Sequence, residues 1–217
     1  MSKVILELYD KYKIMPQLVA HQLRVAAVAY AITQEFFESL HDEELISACL
    51  LHDMGNILKF DLSLFPEYLT PQGRDYWEGV KEEYRVKYGS DEHAATLAIA
   101  REIGVSERTL SYIDAVGFWG VVENEKSDSF EKKIAAYADM RVAPYGITTL
   151  VERMDDANRR YATRWNEMGH ESKVAASHAM LRSIEKQIFA RASNTPDDIT
   201  AEACEKYIPM LKKYHIT

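Results

Sequence analysis

The 217-residue sequence predicts an all-α fold. Apolar residues recur at three- and four-residue spacing through most of the chain, two-residue alternation is scarce, and only 9 Gly and 6 Pro interrupt the pattern. With 47% hydrophobic and 28% charged residues the composition is that of a globular protein. A chain of this length buries roughly 70% of its unfolded surface. It can therefore build a core without a disulfide or a structural metal, and any metal it binds is better explained by function.

Taken in order, the pattern predicts a long helix opening at Pro16, a residue suited to a first helical turn, and running to about Ser39. Leu18, His21, Val25, Val28, Ile32 and Phe36 form one stripe, which puts His21 on the buried face. A second helix starts at Asp42 as N-cap, runs through EELISACLLHD and is stopped by Gly55. Residues 57 to 73, with two prolines, read as a loop with short helical turns, placed where a lid or substrate loop is usual. Further helices are expected over 74–87, 91–103 and 106–119, with Gly104 separating the last two, and over 130–140 after the polar loop NEKSDS. Pro144 and Gly146 mark a break. Residues 1–146 thus read as one domain, and 147–217 as a helical extension of three helices divided near Gly169 and at NTPDD. Its apolar residues Val174, Met180, Leu181, Ile184 and Ile188 need cover, from the same domain or from a second subunit in a homodimer.

The formal charge of -8, with no dense Lys/Arg tract, argues against long nucleic acids as partners. A small anionic substrate remains compatible if local cations or a metal offset the global field. Cys49, in an apolar helical run, and Cys204 are far apart in sequence and suit a reducing compartment. The N-terminus has no leader-like apolar region, and no stretch of about 18 apolar residues occurs, so a cytoplasmic protein without membrane association is expected.

Four residues able to bind a metal lie in the most apolar helical stretches: His21, His52, Asp53 and Asp139. Burying carboxylates without a partner costs several kcal/mol or more, and two aspartates with two imidazoles are satisfied together by one divalent cation. Such a donor set suits Mn, Fe, Co, Ni or Zn, with Mg also compatible, and leaves positions open for water and substrate. The dipeptide His41-Asp42 is a useful contrast. It sits in the polar turn HDEE at a helix start and is explained by capping. His170, His178 and His215 read as ordinary surface or core histidines.

These residues resemble the signature of the HD-domain metal-dependent phosphohydrolases over about residues 15 to 145. HQLRVAAVA at His21, CLLHDMGN at His52 and Asp53, and YADMR at Asp139 match the family's His, its apolar helix ending in His-Asp before a Gly, and its late Asp. The resemblance implies an HD-type helical bundle that hydrolyses a phosphate ester or anhydride of a nucleotide or related metabolite with metal-activated water. For Asp53 it implies a catalytic role in orienting that water. GSDEHAATLAIAREIGV resembles the segment that brings a further His, here His93, beside the metal cleft. Phe118 and Trp119 stand where some members carry later histidines, which favours one ion, and Asn56 stands where some place a Glu. Arg24, Lys59 and Arg141 are candidate phosphate contacts beside these motifs. Two other functions remain in view: a non-catalytic nucleotide-binding or scaffold module, and a di-iron oxygenase, which requires additional ligands.

Overall fold

The computed structural model describes residues 3–63, 69–118 and 120–216, side chains 164 and 171 aside. The described residues form twelve α-helices and one two-stranded hairpin. The helices are α1 (Ile5–Lys11), α2 (Pro16–Thr33), α3 (Asp42–Leu51), α4 (Arg74–Tyr88), α5 (Glu92–Ile103), α6 (Glu107–Ala115), α7 (Val121–Lys126), α8 (Phe130–Asp139), α9 (Leu150–Glu167), α10 (Glu171–Phe189), α11 (Ala201–Glu205) and α12 (Ile208–Leu211). Strands β1 (Val142–Ala143) and β2 (Gly146–Ile147) pair antiparallel around Pro144 and Tyr145. No helix among the described residues is long and apolar enough to cross a membrane.

The centre of the bundle is set by the helices that are apolar on nearly every side. In α2, every residue from Val25 to Ala29 is fully buried, and in α3 everything from Leu45 to Leu51 is buried. The run Ile134–Ala138 of α8 completes the group, and α2, α3 and α8 pack mutually. Alanines on α2 let these helices approach closely, and a helix without a polar face has nowhere to go but the core. All four metal-ligand candidates sit on or at the ends of these three helices, His52 buried and His21, Asp53 and Asp139 partly exposed.

Several element boundaries differ from the sequence expectation. α2 stops at Thr33 rather than near Ser39, because the chain there joins the end of α10: Phe37 N–H donates to the Arg191 carbonyl and Ser193 N–H to that of Glu35. α6 ends at Ala115, and the loop expected at NEKSDS is partly α7, whose Asn124 side chain donates to the Ala115 carbonyl. His41, not Asp42, occupies the N-cap of α3. Gly55 does not end α3 in a left-handed turn. That helix closes at Leu51, and Gly55, at φ −93°, is needed for space: a Cβ there would lie 2.3 Å from the Glu92 carbonyl oxygen on α5. Gly104, in contrast, does separate α5 from α6 as expected, closing α5 in a left-handed cap (φ 80°). Of the segment expected as a lid, residues 57–59 belong to a 3₁₀ turn (Asn56–Lys59), while 64–68 lie outside the described residues, as does position 119.

The C-terminal helices close over the same core. α11 and α12 lie on α2, and α10 lies on α7 and α8 with Leu181, Ile184 and Ile188 buried. The two ends of the chain meet, Ile5 N–H donating to the Tyr214 carbonyl and Ile216 N–H to that of Lys3.

Candidate metal centre

His21 lies on the second turn of α2, and its Nε2 is 3.0 Å from Asp139 Oδ1 at the end of α8. His52 follows the last residue of α3, and its Nε2 faces the same oxygen at 3.5 Å. Asp53 completes the group from the next position. Its Oδ2 is 3.6 Å from His21 Nε2 and its Oδ1 3.6 Å from His52 Nε2. Donor atoms of His21, His52 and Asp53 all lie within 4.8 Å of one another. Ligands bound at about 2.0–2.2 Å to a common ion stand roughly 3–3.5 Å apart, close to the separations seen here.

The tautomer of His52 fits the same purpose. Its Nδ1 is 2.9 Å from the Cys49 carbonyl oxygen, an acceptor only, so Nδ1 carries the hydrogen and Nε2 is left as the inward atom. That Nε2 is buried and has no aligned hydrogen-bond partner. A buried ring nitrogen aimed at two carboxylates is a group awaiting a cation, either a proton or a metal ion. Burial alone would lower the His52 pKa, but Asp53, and then Asp139, raise it to about 9. Burial likewise works against ionised Asp139, yet the two imidazoles hold its carboxyl well below the usual range.

Because the folded pKa of His52 exceeds its unfolded value near 6.5, the protonated imidazole stabilises the metal-free fold fully below that value, and the contribution is lost as pH rises through about 9. A metal must displace the same proton. Ion affinity is therefore expected to rise by up to about tenfold per pH unit between pH 7 and 9. Calorimetric titration near pH 7.5, in buffers of different ionisation enthalpy, should show about one proton leaving His52 per ion bound. Affinity that does not change over this range would contradict the assignment.

The pattern is matched by the family model of the HD domain over residues 18–141, more than half of the chain. The protein belongs to the HD domain family. This places it in a superfamily of metal-dependent phosphohydrolases, with an all-α fold and a His/Asp cluster able to hold a divalent ion. No curated protein and no solved structure matches the chain.

The remaining candidate residues of this HD protein are placed differently from one another. Lys59 is exposed at the end of the 3₁₀ turn that follows the His-Asp motif, with no ion pair among the described residues. Arg24, one turn beyond His21, donates through Nε to Glu205 on α11 at 2.9 Å and stays partly exposed. His93 lies outside the metal cluster, with Nε2 3.0 Å from Asp114 Oδ1 at a half-exposed position on α5. Arg141 is not a surface cation beside Asp139, as its spacing suggested. α8 has ended, and the guanidinium is 1% exposed inside the core, donating to the carbonyls of Thr148, Pro196 and Ile199 and to the Tyr137 hydroxyl. Every arm of its fork is used by protein atoms. Asn56, at the position where relatives place a Glu, is buried at the start of the 3₁₀ turn.

Three residues that sequence reasoning passed over touch the motif. Tyr9 of α1, an element not foreseen ahead of Pro16, donates its hydroxyl to the Leu50 carbonyl at 2.7 Å. Gln22 and Thr96 bond to backbone N–H groups within the His-Asp turn. The available signal was a glutamine inside the apolar run HQLRVAAVA, where a buried amide needs a partner.

Proposed function

We propose that the protein hydrolyses a phosphate ester or anhydride of a nucleotide or related small metabolite, using one divalent ion held by His21, His52, Asp53 and Asp139. The observation that carries this reading is the convergence of the two Nε2 atoms on two carboxylates at 3.0–3.6 Å, with His52 Nε2 buried and unpartnered. When bound, a divalent ion supplies charge for the phosphoryl oxygens and lowers the pKa of water towards neutrality.

The chain's own residues supply orientation and charge. His52 is fixed by its hydrogen bond to the Cys49 carbonyl, so its ring cannot turn away from the cleft. Asp53 lies between both imidazoles and is 17% exposed, which leaves its carboxylate able to accept a proton from an attacking water and hold it in line. Lys59, at the end of the turn, is the first cation we assign to the substrate phosphate. Arg24 is the second, with Nη groups available while Nε holds Glu205. We place His93 at the substrate edge of the cleft, its ring held by Asp114. Arg141 is left out of the substrate set, because its donors are committed within the core.

The donor set also bears on the di-iron alternative, which needs a second group of ligands. Among the described residues, one cluster of three or more His, Cys, Asp or Glu is placed to hold an ion. The test is a screen of phosphomonoesters, phosphodiesters, nucleotides and dinucleotides with the protein loaded in turn with Mn, Fe, Co, Ni, Zn and Mg. Turnover of at least one substrate that stops on chelation and returns with the ion is the expected result. No turnover in any combination, with nucleotide binding retained, would favour the non-catalytic module.

A further inference from the structure

We infer that Gln22 and Thr96 are positioning residues that hold the His-Asp turn in its ligand-presenting shape before any ion binds. The inference rests on the metal-site reading above and adds to it a cause for the convergence of His52 and Asp53.

Adjacent residues on a regular helix point about 100° apart, so a His-Asp pair reaches one ion only if the chain leaves the helix in a particular way. After Leu51 the backbone does so through bonds of three-residue spacing, Met54 N–H to the Leu51 carbonyl and Asn56 N–H to that of Asp53. The N–H groups of Asp53 and Gly55 point out of this turn, and each meets a side chain from a different helix. Gln22 Oε1 on α2 accepts from Asp53 N–H at 3.2 Å. Thr96 Oγ1 on α5 accepts from Gly55 N–H at 2.8 Å and donates to the Glu92 carbonyl at 2.9 Å.

Both side chains are out of water, Gln22 at 0% and Thr96 at 1% exposure. Neither N–H would find a replacement partner if its acceptor were removed, so the turn would have to shift to reach solvent. The steric fit acts in the same direction, since Gly55 rests against α5 too closely for a side chain. Gln22 is also the neighbour of His21, so the residue after one ligand grips the backbone of another. A displacement of the turn would separate Asp53 from His21.

The experiment compares Mn2+ affinity in the wild-type protein and in Gln22→Met, Thr96→Val and Thr96→Ser, with helicity and thermal midpoint recorded for each. Gln22→Met and Thr96→Val remove the acceptor at similar volume, and each should weaken Mn2+ binding by about 10- to 100-fold with helicity retained. Thr96→Ser keeps the hydroxyl and should stay near wild type. A core variant distant from the turn, Ile188→Ala, serves as the control for general destabilisation and should not change affinity. Unaltered affinity in both acceptor variants, or an equal loss in Ile188→Ala, would overturn the inference. Should the acceptor variants not fold, hydrogen exchange on metal-free wild type decides: protected amides at Asp53 and Gly55 support the inference, and exchange at the solvent rate overturns it. The two failures are distinguishable. Wild type that binds Mn2+ in a His52-dependent way while the variants lose nothing sinks the inference alone, whereas wild type that binds no ion of the panel sinks the metal reading and this inference with it.

Discussion

Replacing His52 or Asp53 by alanine is expected to abolish metal binding and hydrolysis together. Each substitution removes one of two ligands from a single turn and breaks contacts to two partners, because both residues face His21 or Asp139 within 3.6 Å. A bound ion contributes several kcal/mol of transition-state stabilisation, so hydrolysis should fall by at least about a thousandfold. The metal-free His52→Ala protein should also lose a few kcal/mol of stability, since Asp53 and Asp139 then share one imidazole, that of His21, where they had two. His41→Ala and Asp42→Ala provide the comparison. They sit at the opposite end of α3, about 15 Å away along the axis, where His41 meets Glu131 and Arg108 rather than the cluster. Both should keep their metal and activity. Metal analysis and turnover on the same purified samples check this, and an Asp53→Ala protein with full metal content and wild-type hydrolysis would show the site to be wrongly assigned.

The second large effect is expected at Arg141 and falls on stability rather than chemistry. Arg141→Met keeps much of the volume but removes the guanidinium donors from the carbonyls of Thr148 and Ile199 and leaves the Pro196 carbonyl with only the Ile199 N–H. It also strips the Tyr137 hydroxyl, which donates to Glu185, of the guanidinium that offsets that carboxylate's charge. Loss of one partner in such a buried charged network costs about 3–5 kcal/mol, or about 10 °C in thermal midpoint for a chain of this size. Metal bound per folded molecule should not change. A variant of normal stability with a raised substrate KM would instead return Arg141 to the phosphate. The network ties α8, the hairpin and the segment before α11 into one unit, so its loss should be felt along the C-terminal third of the chain.

Arg141 also shows where reading a sequence stops. Two residues after Asp139 it looks like a cation poised over the site, but α8 ends at Asp139 and the next residues turn into β1, carrying the side chain into the core. Spacing along the chain locates a residue on a face only while the helix continues. The same limit applies to Gly55, whose value lies in a contact with Glu92 across the fold, and to Arg24, whose partner Glu205 is 181 residues away.

The sequence by itself determined the all-α fold, the apolar character of the stretches that become α2, α3 and α8, and the four candidate donors, because helical periodicity and the cost of burying a charge are properties of local segments. Only the tertiary structure decided that two nitrogens and two carboxylates meet at 3.0–3.6 Å, that His52 presents Nε2 to them, and that Gln22 and Thr96 grip the turn between helices. Those are distances between segments remote in the chain, set by how closely alanine and glycine let the helices approach, and local pattern holds no record of them.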